Sequence, residues 1–190
     1  MTLTLIDPRT WRCWQTASLE VSDGYVHSRI LKFSEEGKGE FTSGERRGKG
    51  SGPGEFVIPH GVAVDQAGRL HVADRENDRR QIFTAEGKFI EQSRDPRFGR
   101  PHGVRVGPDG LVYAADGGEQ PKHPPHRWGA VFSAGGKVLV SSDRWGDREG
   151  EFQMAHDLAI TPEGDVDVGE ITGRRVQKLL WSETGVSGAR

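Results

Sequence analysis

The chain has 190 residues, with 26 Lys and Arg against 28 Asp and Glu, for a formal charge of -2. That balance argues against a nucleic-acid footprint, which needs a basic face. The single cysteine, Cys13, excludes an internal disulfide; no apolar run is long enough to span a membrane, and residues 1–5 are too short for a signal peptide, so the chain as written is expected in the cytoplasm.

In chain order, residues 3–8 read as a first strand, 10–17 as an irregular stretch, and 19–23 and 29–33 as the second and third strands of one unit. The clearest unit follows. Residues 61–65 form a strand, Gln66, Ala67 and Gly68 a turn, and 69–74 a second strand. Residues 80–84 make the third, Glu86 and Gly87 turn the chain, and 88–92 make the fourth. The C-terminal unit repeats the pattern at 158–160, 165–168 and 175–180, with a turn at Pro162 to Gly164 and a final tail. Helical periodicity is absent, and Gly and Pro interrupt too often for long helices. With only 33% hydrophobic residues, the inner strands of each unit must carry most of the burial.

Three tripeptides punctuate these units: Pro59-His60-Gly61, Pro101-His102-Gly103 and Ala155-His156-Asp157. His60 and His102 stand 42 residues apart, and His102 and His156 stand 54. A period of roughly 40–50 residues with several short strands marks a β-propeller blade. The reading is an all-β β-propeller in one domain over residues 1–190. Its four blades fall at about 1–56, 57–99, 100–152 and 153–190. A histidine recurring at one place in successive repeats recurs at one place in space. Three such imidazoles can converge on one metal. The competing reading is that these histidines pack and hydrogen-bond around the blade hub.

The words Gly52-Pro53-Gly54-Glu55-Phe56, Pro59-His60-Gly61-Val62-Ala63-Val64-Asp65, Val72-Ala73-Asp74-Arg75-Glu76-Asn77 and Gln81-Ile82-Phe83 resemble the NHL repeat. Ser22-Asp23-Gly24-Tyr25 and Met154-Ala155-His156-Asp157, in that order, narrow the resemblance to the peptidyl-α-hydroxyglycine α-amidating lyases. It covers most of the chain from about Val21 onward. The resemblance implies a six-bladed propeller of which this chain matches the last four blades, with the N-terminal blades absent. It implies cleavage of the N–C bond of a C-terminal α-hydroxyglycine, giving a peptide amide and glyoxylate.

It further implies zinc on His60 and His156, Tyr25 as base or oxyanion-assisting group, and Arg75 as the active-site arginine. Met154 would line the substrate pocket, and Asp157 would be the carboxylate of a structural calcium. Family members are often secreted. The family's remaining zinc histidine would lie upstream of Met1. The resemblance does not supply His102, whose repeat position makes it a candidate third ligand. Three departures stand out: Ala155 replaces proline, Arg80 replaces an apolar β-branched residue, and Glu45-Arg46 stands where Trp-Gly closes a blade.

The partner is then a peptide ending in α-hydroxyglycine, or a protein partner if the propeller is a non-catalytic interaction module or an inactive fragment. A membrane partner is not expected. Arg75 would grip the glycine carboxylate through its rigid fork; pairing with Glu76 is the plainer alternative. Tyr25 works as a base only where positive charge stabilises its phenolate; a packed rim aromatic is the alternative. His27, His71, His123 and His126 fall outside the matched motifs, as does Cys13. Asp74 and Asp116 end second strands and read as turn-bonding residues.

Overall fold

The computed structural model describes residues 11–13, 18–43, 49–94, 99–117, 129–132, 138–142, 145–182 and 185–189. The strand expected at 3–8 lies outside them, as do Glu45, Arg46, His123 and His126. The described residues form sixteen strands in four antiparallel four-stranded sheets, each a meander in chain order. No helix among them is long and apolar enough to cross a membrane.

The chain falls into two compact units, Met1–Gln92 and Ser93–Arg190. Unit one holds two sheets. The first is β1 (Trp11–Cys13), β2 (Leu19–Asp23), β3 (Arg29–Phe33) and β4 (Gly39–Ser43); the second is β5 (Pro59–Val64), β6 (Leu70–Asp74), β7 (Arg79–Phe83) and β8 (Phe89–Ser93). β1 falls inside the stretch read from sequence as irregular. Unit two holds β9 (Pro101–Val106), β10 (Val112–Asp116), β11 (Gly129–Phe132) and β12 (Val138–Ser142), then β13 (Ala155–Ile160), β14 (Val166–Glu170), β15 (Val176–Ser182) and β16 (Gly185–Ala189). The tail expected after residue 180 contains that last strand.

One hairpin recurs. Asp65 and Arg69 close a three-residue loop in which Gly68 takes φ 78° and donates its N–H to the Asp65 carbonyl. Residues 107–111 and 161–165 repeat the same backbone bonds around Gly110 and Gly164. This type I turn with a left-handed glycine is a standard three-residue hairpin loop, and its glycine is what the sequence spacing reported.

Among the described residues, apolar side chains pack into a cluster in each unit. Phe56, Val62, Leu70, Val72, Phe83 and Ile30 pack together in unit one. The Phe56 and Phe83 rings lie 5.7 Å apart. Tyr113, Phe152, Leu158, Val166, Val168 and Leu179 pack in unit two. Each such side chain contributes about 1.5–3 kcal/mol on burial.

Beside each core runs a polar device that the sequence did not announce. Arg79, 1% exposed, donates Nε to Asp74 Oδ2 at 2.7 Å. Its Nη atoms reach the carbonyls of Ser51, Gly52 and Glu55 and the Oε1 of Gln92. Gln81 bonds Glu55 O and Asp74 Oδ2 and accepts from Gly54 N. Unit two repeats this group by group. Arg175 bonds Glu170 and the carbonyls of Gly146, Asp147, Arg148 and Glu151, and Gln177 bonds Glu151 O, Glu170 and Gly150 N. One acid, one arginine and one glutamine therefore fasten the entry loop of two of the four blades, β5–β8 and β13–β16. Asp74 Oδ1 also takes Val57 N–H, and Asp116 takes Gly99 N–H; both are backbone amides, but 17 residues upstream, ahead of the blade's first strand, whereas the sequence reading placed them in the turn.

Arg80, set where the repeat expects an apolar residue, is 2% exposed. Its Nη1 donates to His71 Nδ1 at 3.0 Å. The other ring nitrogen, Nε2, therefore carries the proton and donates to Asp65 Oδ2 at 3.0 Å. A guanidinium has thus been accommodated in the blade by a neutral histidine and a carboxylate. Burial pushes the His71 pKa down from 6.5 to about 4, and the Arg80 charge acts in the same direction. Between those values the unfolded chain binds the proton that the folded chain refuses, so stability falls as pH drops from 6.5 toward 4. The loss is roughly 3 kcal/mol. Denaturant melts of wild type and His71→Gln across that range are expected to diverge, the variant having the shallower acid slope; parallel slopes would contradict the assignment.

Candidate active site

His60, His102 and His156 each occupy the second position of the first strand in their sheets. In each case the pairing register slips there: between Pro59 and Gly61, opposite Ala114 to Asp116, and between Ala155 and Asp157. A β-bulge re-aims the side chain that it carries, so all three histidines are turned by one local irregularity. The strands begin at Pro59, Pro101 and Ala155, which puts each histidine inside a strand rather than in the loop before it.

In unit one the bulge brings three sequence-distant residues together. His60 is 3% exposed. The Tyr25 ring meets it edge-on, with centroids 6.1 Å apart. Arg75 Nη1 donates to Tyr25 Oη at 3.4 Å, and its Nε faces Glu76 at 3.5 Å. Of the two sequence readings of Arg75, these contacts bear only on the pairing with Glu76. Gly24 sits where a Cβ would lie 2.1 Å from the Pro59 carbonyl oxygen, and Ser22 Oγ donates to the His60 carbonyl at 2.8 Å. These two contacts fix β2 against β5 and hold Tyr25 over His60. His27 is held in the same turn by Asp23 at 2.8 Å, and Arg29 Nε also bonds Asp23 Oδ2.

In unit two the His102 and His156 rings lie 5.2 Å apart, centre to centre. One ring nitrogen of each lies within 4.8 Å of the other, not far from the ~3.4 Å that separates two imidazole nitrogens on one tetrahedral zinc. His102 Nδ1 faces the Arg100 carbonyl at 3.0 Å. A carbonyl only accepts, so Nδ1 holds the proton and Nε2 carries the lone pair, the arrangement common to metal-ligating histidines. Gly117 cradles the ring: a Cβ there would lie 2.0 Å from His102 Cε1.

The residue before the histidine strand is left-handed in two blades, with φ 54° at Ile58 and 55° at Met154. A β-branched residue rarely adopts that conformation. The strain persists because the carbonyls are fastened: Arg75 N donates to Ile58 O at 3.3 Å, and Ile171 N to Met154 O at 3.1 Å. Strained backbone of this kind clusters at functional sites.

An open groove of ≈ 390 Å³ runs along His156, Asp157, Ile171, Arg174 and Val176. Met154 turns its sulfur to Thr172 Oγ1 at 3.7 Å. Asp157 Oδ1 accepts from Leu158 N at 2.8 Å, and Oδ2 from Arg105 Nη2 at 2.6 Å. The sequence reading did not single out Arg105; its partner is 52 residues away.

The NHL repeat family matches residues 56–83. The chain is 36% identical over 169 residues to peptidyl-glycine alpha-amidating monooxygenase A of Xenopus laevis, covering 86% of this chain and 18% of that protein. It is 31% identical over 176 residues to peptidyl-alpha-hydroxyglycine alpha-amidating lyase 1 of Drosophila melanogaster, covering 84% of this chain and 32% of that one. The chain thus spans a third or less of either relative. Among solved structures, virginiamycin B lyase from Staphylococcus aureus, a β-propeller, superposes with a TM-score of 0.67 at 11% identity over 94% of this chain and 53% of that chain. At that identity the likeness bears on fold alone.

Proposed function

We propose that this chain, which is an NHL-repeat β-propeller related to the peptidylglycine amidating enzymes, carries a lyase site for peptides ending in α-hydroxyglycine. The observation that carries the reading is the meeting of Tyr25, His60 and Arg75 in one unit. Their types match the base, ligand and carboxylate grip that the reaction needs. His60, His102 and His156 are the proposed zinc ligands. They are supported by their equivalent bulged positions, and by the His102 tautomer with its lone pair on Nε2. Zinc, when bound, supplies a Lewis acid for a substrate oxygen.

The rest falls to the side chains. Arg75 holds the glycine carboxylate and keeps a positive charge beside the Tyr25 oxygen. Tyr25, as phenolate, takes the proton of the α-hydroxyl group. The O–H electrons form the C=O bond of glyoxylate, the C–N bond breaks, and the amide nitrogen recovers a proton from Tyr25. The peptide leaves as its amide, with no net change in protons.

Purified full chain, supplied with zinc and a synthetic peptidyl-α-hydroxyglycine, is expected to release glyoxylate faster than free zinc does. No release above that background would overturn the lyase reading. The NHL match at 56–83 would then favour a non-catalytic module that engages a protein partner.

A further inference from the structure

We propose that Arg105 is the resident cation at Asp157, and that its guanidinium does there the work that the family resemblance assigns to a structural calcium. Calcium takes six to eight oxygen ligands, drawn from carboxylates, carbonyls and water. The oxygens at this place are already engaged by nitrogen. Arg105 Nη2 donates to Asp157 Oδ2 at 2.6 Å, and the Leu158 amide donates to Oδ1 at 2.8 Å. Arg105 Nη1 takes the Val104 carbonyl as well, at 2.7 Å. One guanidinium therefore captures a carboxylate and a backbone carbonyl, the two protein ligand types that calcium would use. A divalent ion on the same carboxylate would stand within a few ångströms of a fixed positive charge, and the two would repel. The residues present do not make a calcium site.

The pair has a mechanical consequence. Arg105 lies on β9 and Asp157 on β13, the strands that carry His102 and His156. The Arg105 side chain is 12% exposed and the Asp157 side chain 50%. Gly103 lets the strands close: a Cβ there would lie 2.5 Å from Asp157 Oδ1 and 2.9 Å from Asp157 Cα. The guanidinium pins two neighbouring blades beside the histidine pair, as a bound ion would, but without dependence on the surrounding calcium concentration. This inference does not rest on the lyase reading.

Thermal melting of the full chain tests it, with calcium chloride as the probe and EGTA as the control. Wild type is expected to melt at the same temperature in both. Arg105→Gln, which keeps the length and removes the charge, is expected to melt about 2–4 °C lower. Arg105→Lys should lose less than half of that. Arg105→Gln combined with Asp157→Asn should melt no lower than Arg105→Gln alone, since both changes delete one interaction. Two results would overturn the proposal. One is a calcium-induced rise of several degrees in wild type that Asp157→Asn removes. The other is Arg105→Gln melting with wild type.

Discussion

Arg79→Ala is expected to lower the melting temperature by about 10 °C or more, the largest stability loss of any single side chain considered. The side chain is fully buried against an equally buried Asp74. Its removal leaves that carboxylate without its countercharge and takes one donor from each of the Ser51, Gly52 and Glu55 carbonyls of the entry loop. Breaking a buried, hydrogen-bonded ion pair from one side costs about 3–5 kcal/mol. In a chain of this size each kcal/mol is worth about 2–4 °C. Arg79→Lys should recover less than half, because an ammonium cannot reproduce the fork that meets four separate acceptors besides Asp74. Arg174→Ala provides the control. That residue is exposed, and the substitution should move the melt by less than a degree or two. Arg79→Ala melting with wild type would show that the loop is held by something else.

The second large effect is on catalysis. Tyr25→Phe is expected to reduce glyoxylate release about 10²–10⁴-fold, the usual contribution of a positioned base. The phenylalanine ring can still lie edge-on to His60, and the hydrogen bond lost to Arg75 is long at 3.4 Å. Melting temperature and metal content should therefore stay at wild-type values. A variant within threefold of wild type would remove Tyr25 from the chemistry, while leaving its packing role intact.

The blades were legible in the sequence because their hairpins use a left-handed glycine at a fixed offset, as at Gly68, Gly110 and Gly164. That signal is local, and so it survives in one dimension. The histidine spacing was legible for the same reason. The bulge that turns the histidines was not. It is a property of pairing between strands, and the irregular step at Ala114 to Asp116 leaves no mark on residues 101–103 alone. Ile58 is a β-branched residue in a left-handed conformation, so propensity points away from what is found. The arginine hubs were hidden because their partners are backbone carbonyls, which carry no residue identity. A signal was nonetheless available: Asp74, Arg79 and Gln81 repeat as Glu170, Arg175 and Gln177 at identical offsets. Arg80 departs from the repeat, yet His71 bonds it and Asp65 holds His71. Arg105 and Asp157 needed the packing of β9 on β13 before they could be read as a pair.

Zinc held by His60, His102 and His156 is the central proposal. Zinc quantification on purified wild type, His60→Ala, His102→Ala and His156→Ala, each loaded and then dialysed, addresses it most directly. The prediction is about one zinc per wild-type chain and a loss of most of it in every variant, His102→Ala included. Wild type emerging without zinc, or all three variants retaining the wild-type content, would contradict it.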